Sequence, residues 1–79
     1  MNDDRLRERV RATIAGALGI PLSRLPENAS PDTVEQWDSL GHLEIILTLA
    51  SVFDVAIDHA EAVTLLDEDS LVAAIASRV

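Results

Sequence analysis

The hydroxyl of Ser39 is the main candidate for chemistry in this sequence. It stands in the run Trp-Asp-Ser-Leu-Gly-His over residues 37–42, where we predict that a helix begins directly after a long loop. A phosphate ester at this point would meet unpaired backbone N–H groups and the positive end of the helix dipole. The run therefore permits a phosphodiester at Ser39. Taken alone, it is more typical of a helix that is simply capped by Asp38 or Ser39.

An enzymatic alternative would combine Ser39, His42 and Asp38 in a hydrolytic triad. The pattern argues against it, because the nucleophile elbow of hydrolases has Gly two residues before the serine and Trp37 stands there. Residues within one helical turn also point outward together and leave no oxyanion pocket. We expect no catalytic residue in this chain and interpret Trp37 as a half-buried plug between loop and helix.

Metal binding is not expected either. The chain has no Cys, and His42 and His59 are isolated. The acidic run Asp67-Glu68-Asp69 lacks the Gly and the closing Glu of a calcium loop. We interpret these acids as helix caps and dipole partners.

Four helices are predicted to position these groups. The first is capped by Asn2 or Asp3 and ends at Gly19. A loop with three prolines follows up to Trp37; it is long for a compact domain. The expected inward residues of the first helix are Leu6, Val10, Ile14, Ala17 and Leu18, and those that hold the loop are Ile20, Leu22 and Leu25.

The second predicted helix covers residues 38–53. Its apolar residues occupy more than one face, so we expect it to contact neighbours on several sides. Asp58 and Glu61 are spaced as a capping box for a short third helix over about 59–63. Asp67 or Asp69 is the expected cap of a last helix, which would bury Leu71, Val72, Ile75 and Val79.

Composition sets the fold class and the compartment. A chain of 79 residues with 48% apolar residues predicts one domain over 1–79, an all-α four-helix bundle with a long loop between helices 1 and 2 and a short third helix. The absence of Cys fits a reducing compartment. No run is long enough for a membrane span, and the start lacks the apolar stretch of a signal peptide. We expect a cytoplasmic monomer.

The charge distribution predicts a basic partner. The net charge is −8, which repels nucleic acid and anionic lipid. Four of the six Arg lie at positions 5, 7, 9 and 11, whereas residues 25–77 contain eleven acids and neither Lys nor Arg. One large surface should therefore be negative, although acidity can also serve only to keep a small domain soluble.

Taken together, these features give a chain that resembles the phosphopantetheine-dependent acyl carrier protein family over its whole length. The resemblance rests on Asp38-Ser39-Leu40 at the start of the second helix, on the Pro-containing loop before it, and on the segment 53–58 after it. Each element alone is weak, but their shared order and spacing are specific.

The resemblance implies a cofactor and a set of partners. Ser39, flanked by Asp38 and Leu40 in the cofactor-binding motif, would be esterified with 4′-phosphopantetheine from coenzyme A by a separate Mg²⁺-dependent phosphopantetheinyl transferase. The thiol of this arm would carry acyl groups as thioesters between partner enzymes, and a growing acyl chain could fold back between helices. The expected docking face for basic patches of loading and downstream enzymes consists of Asp38, Glu44, Asp54, Asp58 and Glu61.

The expected pathway is inferred from positions where this chain differs from the fatty-acid carriers of the family. Fatty-acid carriers usually have more acids along helix 2 than this chain, which has Thr48, Ala50 and Ser51 after Glu44. The run over 37–42 is more similar to discrete carriers of polyketide or nonribosomal-peptide pathways, and six Arg with no Lys suggest a GC-rich bacterium. The alternatives are a housekeeping fatty-acid or aminoacyl carrier and, in another class, an unmodified helical adaptor that binds a protein through the acidic face.

Overall fold

The first helix, α1, runs over Asn2–Leu18 in a computed structural model that describes residues 2–79 and side chains from Asp4 onward. The predicted caps Asn2 and Asp3 have side chains outside this part of the structure. The helix ends as predicted at Gly19, whose φ of 70° is left-handed and favours glycine. Val10 and Ile14 are buried, and the rest of the predicted stripe packs against them.

The loop between α1 and α2 is held by side chains rather than by regular structure. It contains one 3₁₀ turn over Leu22–Arg24. Leu25 is buried and Ile20 is partly buried, as expected. The prediction for Leu22 was wrong, because this side chain is 48% exposed. The buried residues that replace it lie further along the loop and are Ala29, Val34 and Trp37.

Three more helices follow, each with an aspartate as N-cap. They are α2 over Ser39–Phe53, α3 over His59–Ala62 and α4 over Glu68–Ala76. The caps are Asp38, Asp58 and Asp67, so the structure selects Asp67 over Asp69 for α4. Residues 2–79 contain no strand, which confirms the all-α prediction.

One apolar core contains residues of all four helices, with Ala62 as the contribution of α3. α1 packs closely against α2 and α4. Leu71, Val72 and Ile75 of α4 are buried as predicted, whereas Val79 lies beyond the end of α4 and is 70% exposed, so its predicted burial was wrong. The residues of α2 in the core are Ile45, Ile46 and Leu49. No helix in the described part of the chain is long and apolar enough to cross a membrane.

A buried carboxylate connects α4 to α1 and, through an arginine of α1, to the loop. Glu68 at the start of α4 is 1% exposed and pairs with Arg7 and Arg11 of α1. Arg11 also donates to the carbonyl oxygens of Leu25 and Pro26 in the loop. The hydrogen bonds of Arg7 with Glu68 and Asp69 raise the pKa of its guanidinium. The ionic cluster of Arg7, Arg11 and Glu68 therefore fixes the loop that leads to Ser39.

Candidate functional site

The turn from the loop into α2 places Ser39 at the first helical position. Trp37 closes the loop with a hydrogen bond from its backbone N–H to the Val34 carbonyl, 3.0 Å away. Asp38 then has an extended conformation, and its Oδ1 accepts a hydrogen bond from the Gly41 N–H at 2.8 Å. The cap is therefore Asp38, which decides between the two caps that the sequence left open.

Because Asp38 is the cap, the hydroxyl of Ser39 is left available. The side chain is exposed and makes no hydrogen bond with the residues that the structure describes. The first helical turn leaves its leading backbone N–H groups without partners inside the helix. Asp38 takes the N–H of Gly41, and the N–H groups of Ser39 and Leu40 precede the first intrahelical bond, from His42 to Asp38. An anionic ester on Ser39 would lie beside these donors.

Gly41 is a residue of the site that sequence reasoning missed. It is buried, and a Cβ placed on it would lie 2.3 Å from the Gln36 carbonyl oxygen and 2.8 Å from Leu18 Cδ2. The first turn of α2 thus rests directly on the backbone of the loop. The only signal in the sequence was a glycine in the first turn of a helix otherwise rich in Leu and Ile.

Trp37, which is buried, and His42, which is partly buried, form a hydrogen-bonded pair near Ser39 in the sequence. Trp37 is 2% exposed, so the interpretation as a half-buried plug was wrong. Its Nε1–H donates to His42 Nδ1 at 3.0 Å, and the rings stack with centroids 6.1 Å apart. His42 Nε2 lies 2.7 Å from the carbonyl oxygen of Ala62 in α3. Both ring nitrogens are therefore engaged, and in this arrangement His42 cannot take a proton from Ser39.

An apolar groove of about 750 Å³ lies between α2 and the α3 region, and Ser39 is one of its lining residues. The wall from α2 includes Leu43 and Leu47, which are 51% and 58% exposed. α2 contacts α1, the loop at Gln36 and α3 at Ala62, as expected of a helix with neighbours on several sides, but the face with Leu43 and Leu47 is open. The opposite side contains Ile57, Ala62, Val63 and Leu66, and the polar residues of the lining are Asp38, Ser39, His42 and His59.

The acidic residues predicted to dock partners have different surroundings. Asp38 and Asp58 cap helices, and Glu61 pairs with Arg78. Glu44 and Asp54 are exposed, and their carboxylates have no hydrogen bond or ion pair with the side chains of residues 4–79 or with the described backbone. Asp54 is also the C-cap of α2 and has a left-handed φ of 53°. Leu40 is 68% exposed beside Ser39.

The histidines and the run Asp67-Glu68-Asp69 do not form a metal-binding cluster. In the part of the chain that the structure describes, no three potential ligand side chains converge. Asp67 caps α4 through the Ser70 N–H at 2.7 Å, and Asp69 pairs with Arg7 at 2.8 Å. Asp67 thus has the capping role that the sequence suggested, whereas the ion pair of Asp69 with Arg7 was not predicted.

Comparison with known proteins adds no assignment. No protein-family model matches this chain, and no curated protein matches it. The functional argument therefore depends on the residues and geometry of the chain itself.

Proposed function

We propose that this protein is an acyl carrier protein modified at Ser39 with 4′-phosphopantetheine. The observation that supports this most directly is the position of one exposed hydroxyl. Ser39 is the first residue of α2, is not needed for the helix cap, and lines an apolar groove. A phosphodiester there would be stabilised by the helix N-terminus, and the groove could take the apolar part of a cargo on the arm.

The proposal assigns no catalytic step to the chain itself. A transferase would form the ester bond between the Ser39 oxygen and the phosphorus of phosphopantetheine, with 3′,5′-adenosine bisphosphate as the leaving group from coenzyme A. The thiol at the end of the arm would then exchange acyl groups as thioesters with loading and downstream enzymes. Asp38 and Leu40 would frame the serine for the transferase, the first as helix cap and the second as an exposed apolar contact.

The acidic surface supports a role in transient docking. Glu44 and Asp54 are exposed and leave their charges available to a basic partner, with Asp58 nearby in sequence at the start of α3. Long-range attraction of this kind raises association rates more than lifetimes. Weak and rapid exchange suits a carrier that visits several enzymes in turn.

Three finer parts of the proposal are based on the sequence. They are a four-helix bundle, a cytoplasmic bacterial setting, and a polyketide or nonribosomal-peptide pathway suggested by the run over 37–42. The packing of α1 on α2 and α4 around one core supports the bundle. The acyl group would be identified by loading the holo-protein with candidate ketosynthase, adenylating or fatty-acid enzymes and measuring thioester formation.

The test of the proposed function uses a fluorescent coenzyme A analogue, Mg²⁺ and a promiscuous phosphopantetheinyl transferase. Wild-type protein should be labelled, and Ser39→Ala should not, while its helical circular dichroism stays unchanged because Asp38 remains as the cap. Ser51→Ala is the matched control, since Ser51 is an exposed serine of α2 outside the groove lining. Equal labelling of Ser39→Ala and wild type would contradict the proposal.

A further inference from the structure

His42 lies where three parts of the chain meet. Its Nδ1 is 3.0 Å from Trp37 Nε1, at the end of the loop, and its Nε2 is 2.7 Å from the carbonyl oxygen of Ala62, the last residue of α3. All three residues line the same groove as Ser39. One imidazole ring thus connects the loop, α2 and α3 beside the candidate modification site.

The chemistry of the partners fixes the role of each ring nitrogen. An indole N–H can only donate, so His42 Nδ1 accepts from Trp37. A backbone carbonyl can only accept, so Nε2 carries a proton and donates it to Ala62. The arrangement requires the imidazole tautomer with its single proton on Nε2, because a proton on Nδ1 would face the indole N–H.

The position of α3 depends on side-chain hydrogen bonds and ion pairs with its neighbours. α1 packs closely on α2 and α4, whereas in the described chain α3 has no comparably close backbone packing with another helix. α3 has only four residues, too few to be stable alone. On the far side Arg78 pairs with Glu61 and also donates to the Ala56 carbonyl. On the groove side, the bond from His42 to Ala62 links α3 to α2.

The same hydrogen bonds leave few unpaired polar groups on the inner wall of the groove. The indole N–H of Trp37 and both nitrogens of His42 are paired with each other or with Ala62. The carboxylate of Asp38 accepts from Gly41. The inner wall therefore offers mainly carbon to an occupant, whereas an amide or keto oxygen would find few unpaired donors there.

We propose that His42 is a positioning residue that holds α3 against the Trp37–Ser39 turn and thereby fixes the width of the apolar groove. The identity of the occupant rests on the proposed function: it would be the alkyl part of an acyl group on the arm of Ser39. The tether itself does not depend on modification, so it is testable in the unmodified protein.

Two substitutions separate the two hydrogen bonds. The side-chain oxygen of His42→Asn can occupy the place of Nδ1 and accept from Trp37, but the side chain is too short to reach Ala62. The amide nitrogen of His42→Gln can occupy the place of Nε2 and donate to Ala62, with the bond from Trp37 lost. Each variant is thus the matched control of the other, and His42→Phe removes both bonds while it keeps a ring.

Groove binding is measured with the neutral apolar dye N-phenyl-1-naphthylamine on the unmodified full chain. We expect its affinity to fall about fivefold in His42→Asn and His42→Phe, the equivalent of one lost hydrogen bond, and to stay near the wild-type value in His42→Gln. The indole N–H resonance of Trp37, the sole Trp, should move in His42→Gln and His42→Phe but not in His42→Asn.

Three results would overturn the proposal. The first is wild-type dye affinity, to within about twofold, in a folded His42→Asn variant. The second is a wild-type protein that does not bind the dye at all. The third needs no variant: if ¹⁵N spectra of the wild-type imidazole at neutral pH show a proton on Nδ1, the assigned hydrogen bonds are wrong. If Ser39 is not labelled but the dye affinities, the indole N–H resonance and the ¹⁵N spectrum are as expected, only the carrier function is rejected.

Discussion

A Cβ atom placed on Gly41 would lie 2.3 Å from the carbonyl oxygen of Gln36. This is far inside van der Waals contact, and the obstacle is backbone rather than a flexible side chain. The first turn of α2 therefore rests on the loop at a distance that only glycine permits. This contact fixes where α2 begins, and with it the position of Ser39 two residues earlier.

Gly41→Ala should destabilise the protein by about 2 kcal/mol, because the loop must move away from the helix to make room for the methyl group. The measurement is the free energy of unfolding from urea denaturation. Gly16→Ala is the matched control in α1, since nothing lies within 4 Å of the added Cβ there. It should instead stabilise by about 0.5 kcal/mol through helix propensity. A Gly41→Ala variant as stable as wild type would refute the close contact.

Glu44→Arg should slow acyl transfer between the carrier and a partner enzyme by about tenfold at low salt. The reason is that an exposed negative charge of the proposed docking face becomes positive. Glu8→Arg makes the same change of charge on the exposed side of α1, away from the groove, and should have little effect. High salt should reduce the difference between the two variants. Equal rates for both variants at low salt would remove Glu44 from the docking face.

Glu68→Gln should cost about 3 kcal/mol of folding stability, since it leaves Arg7 and Arg11 without the buried carboxylate that pairs with both. Glu61→Gln breaks a more exposed pair with Arg78 and should cost about 1 kcal/mol or less. Chemical denaturation of both variants measures the difference. Similar losses would show that the buried cluster has no special role in holding the loop.

Asp67→Ala should destabilise the protein by about 1 kcal/mol at neutral pH through loss of the α4 cap. Hydrogen bonds from the Ser70 side chain and from its backbone N–H lower the pKa of the Asp67 carboxyl. A lowered folded pKa means that this stabilisation is present above the unfolded pKa and is lost as the pH falls through the folded value. The difference in unfolding free energy between wild type and variant should therefore narrow as the pH falls below the ordinary pKa of an aspartate, measured by denaturation across pH.

The control for this substitution is Asp32→Ala, which removes an exposed loop acid whose side chain makes no hydrogen bond in the part of the chain whose side chains are described, residues 4–79. Its stability difference from wild type at neutral pH should be small, because no capping hydrogen bond is lost. A gap for Asp67→Ala that widens on acidification would contradict the assigned direction of the pKa shift.

Local sequence signals predicted the helices and their caps well. Asp38, Asp58 and Asp67 each precede a helix whose capped N–H group is three residues ahead, a relationship that the sequence itself contains. Leu22 and Val79 continued apolar patterns but lie at a turn and at a helix end, where the chain does not face the core. The spacing of apolar residues alone does not show where the rest of the protein stops covering them.

Long-range contacts of the candidate site could not be predicted in the same way. His42 and Ala62 are twenty positions apart, and their hydrogen bond depends on how α3 returns to α2. The requirement for Gly41 likewise comes from the loop backbone at Gln36 and from Leu18 in α1. The exposure of Ser39 was predictable because it follows from its position at a helix start, whereas the groove beside it depends on tertiary structure.

Intact mass spectrometry of the wild-type protein tests the central claim most directly. After incubation with coenzyme A, Mg²⁺ and a competent phosphopantetheinyl transferase, the protein should gain the mass of one phosphopantetheine, and fragmentation should locate it on Ser39. An unchanged mass with every competent transferase, or the same gain on another residue, would contradict the account.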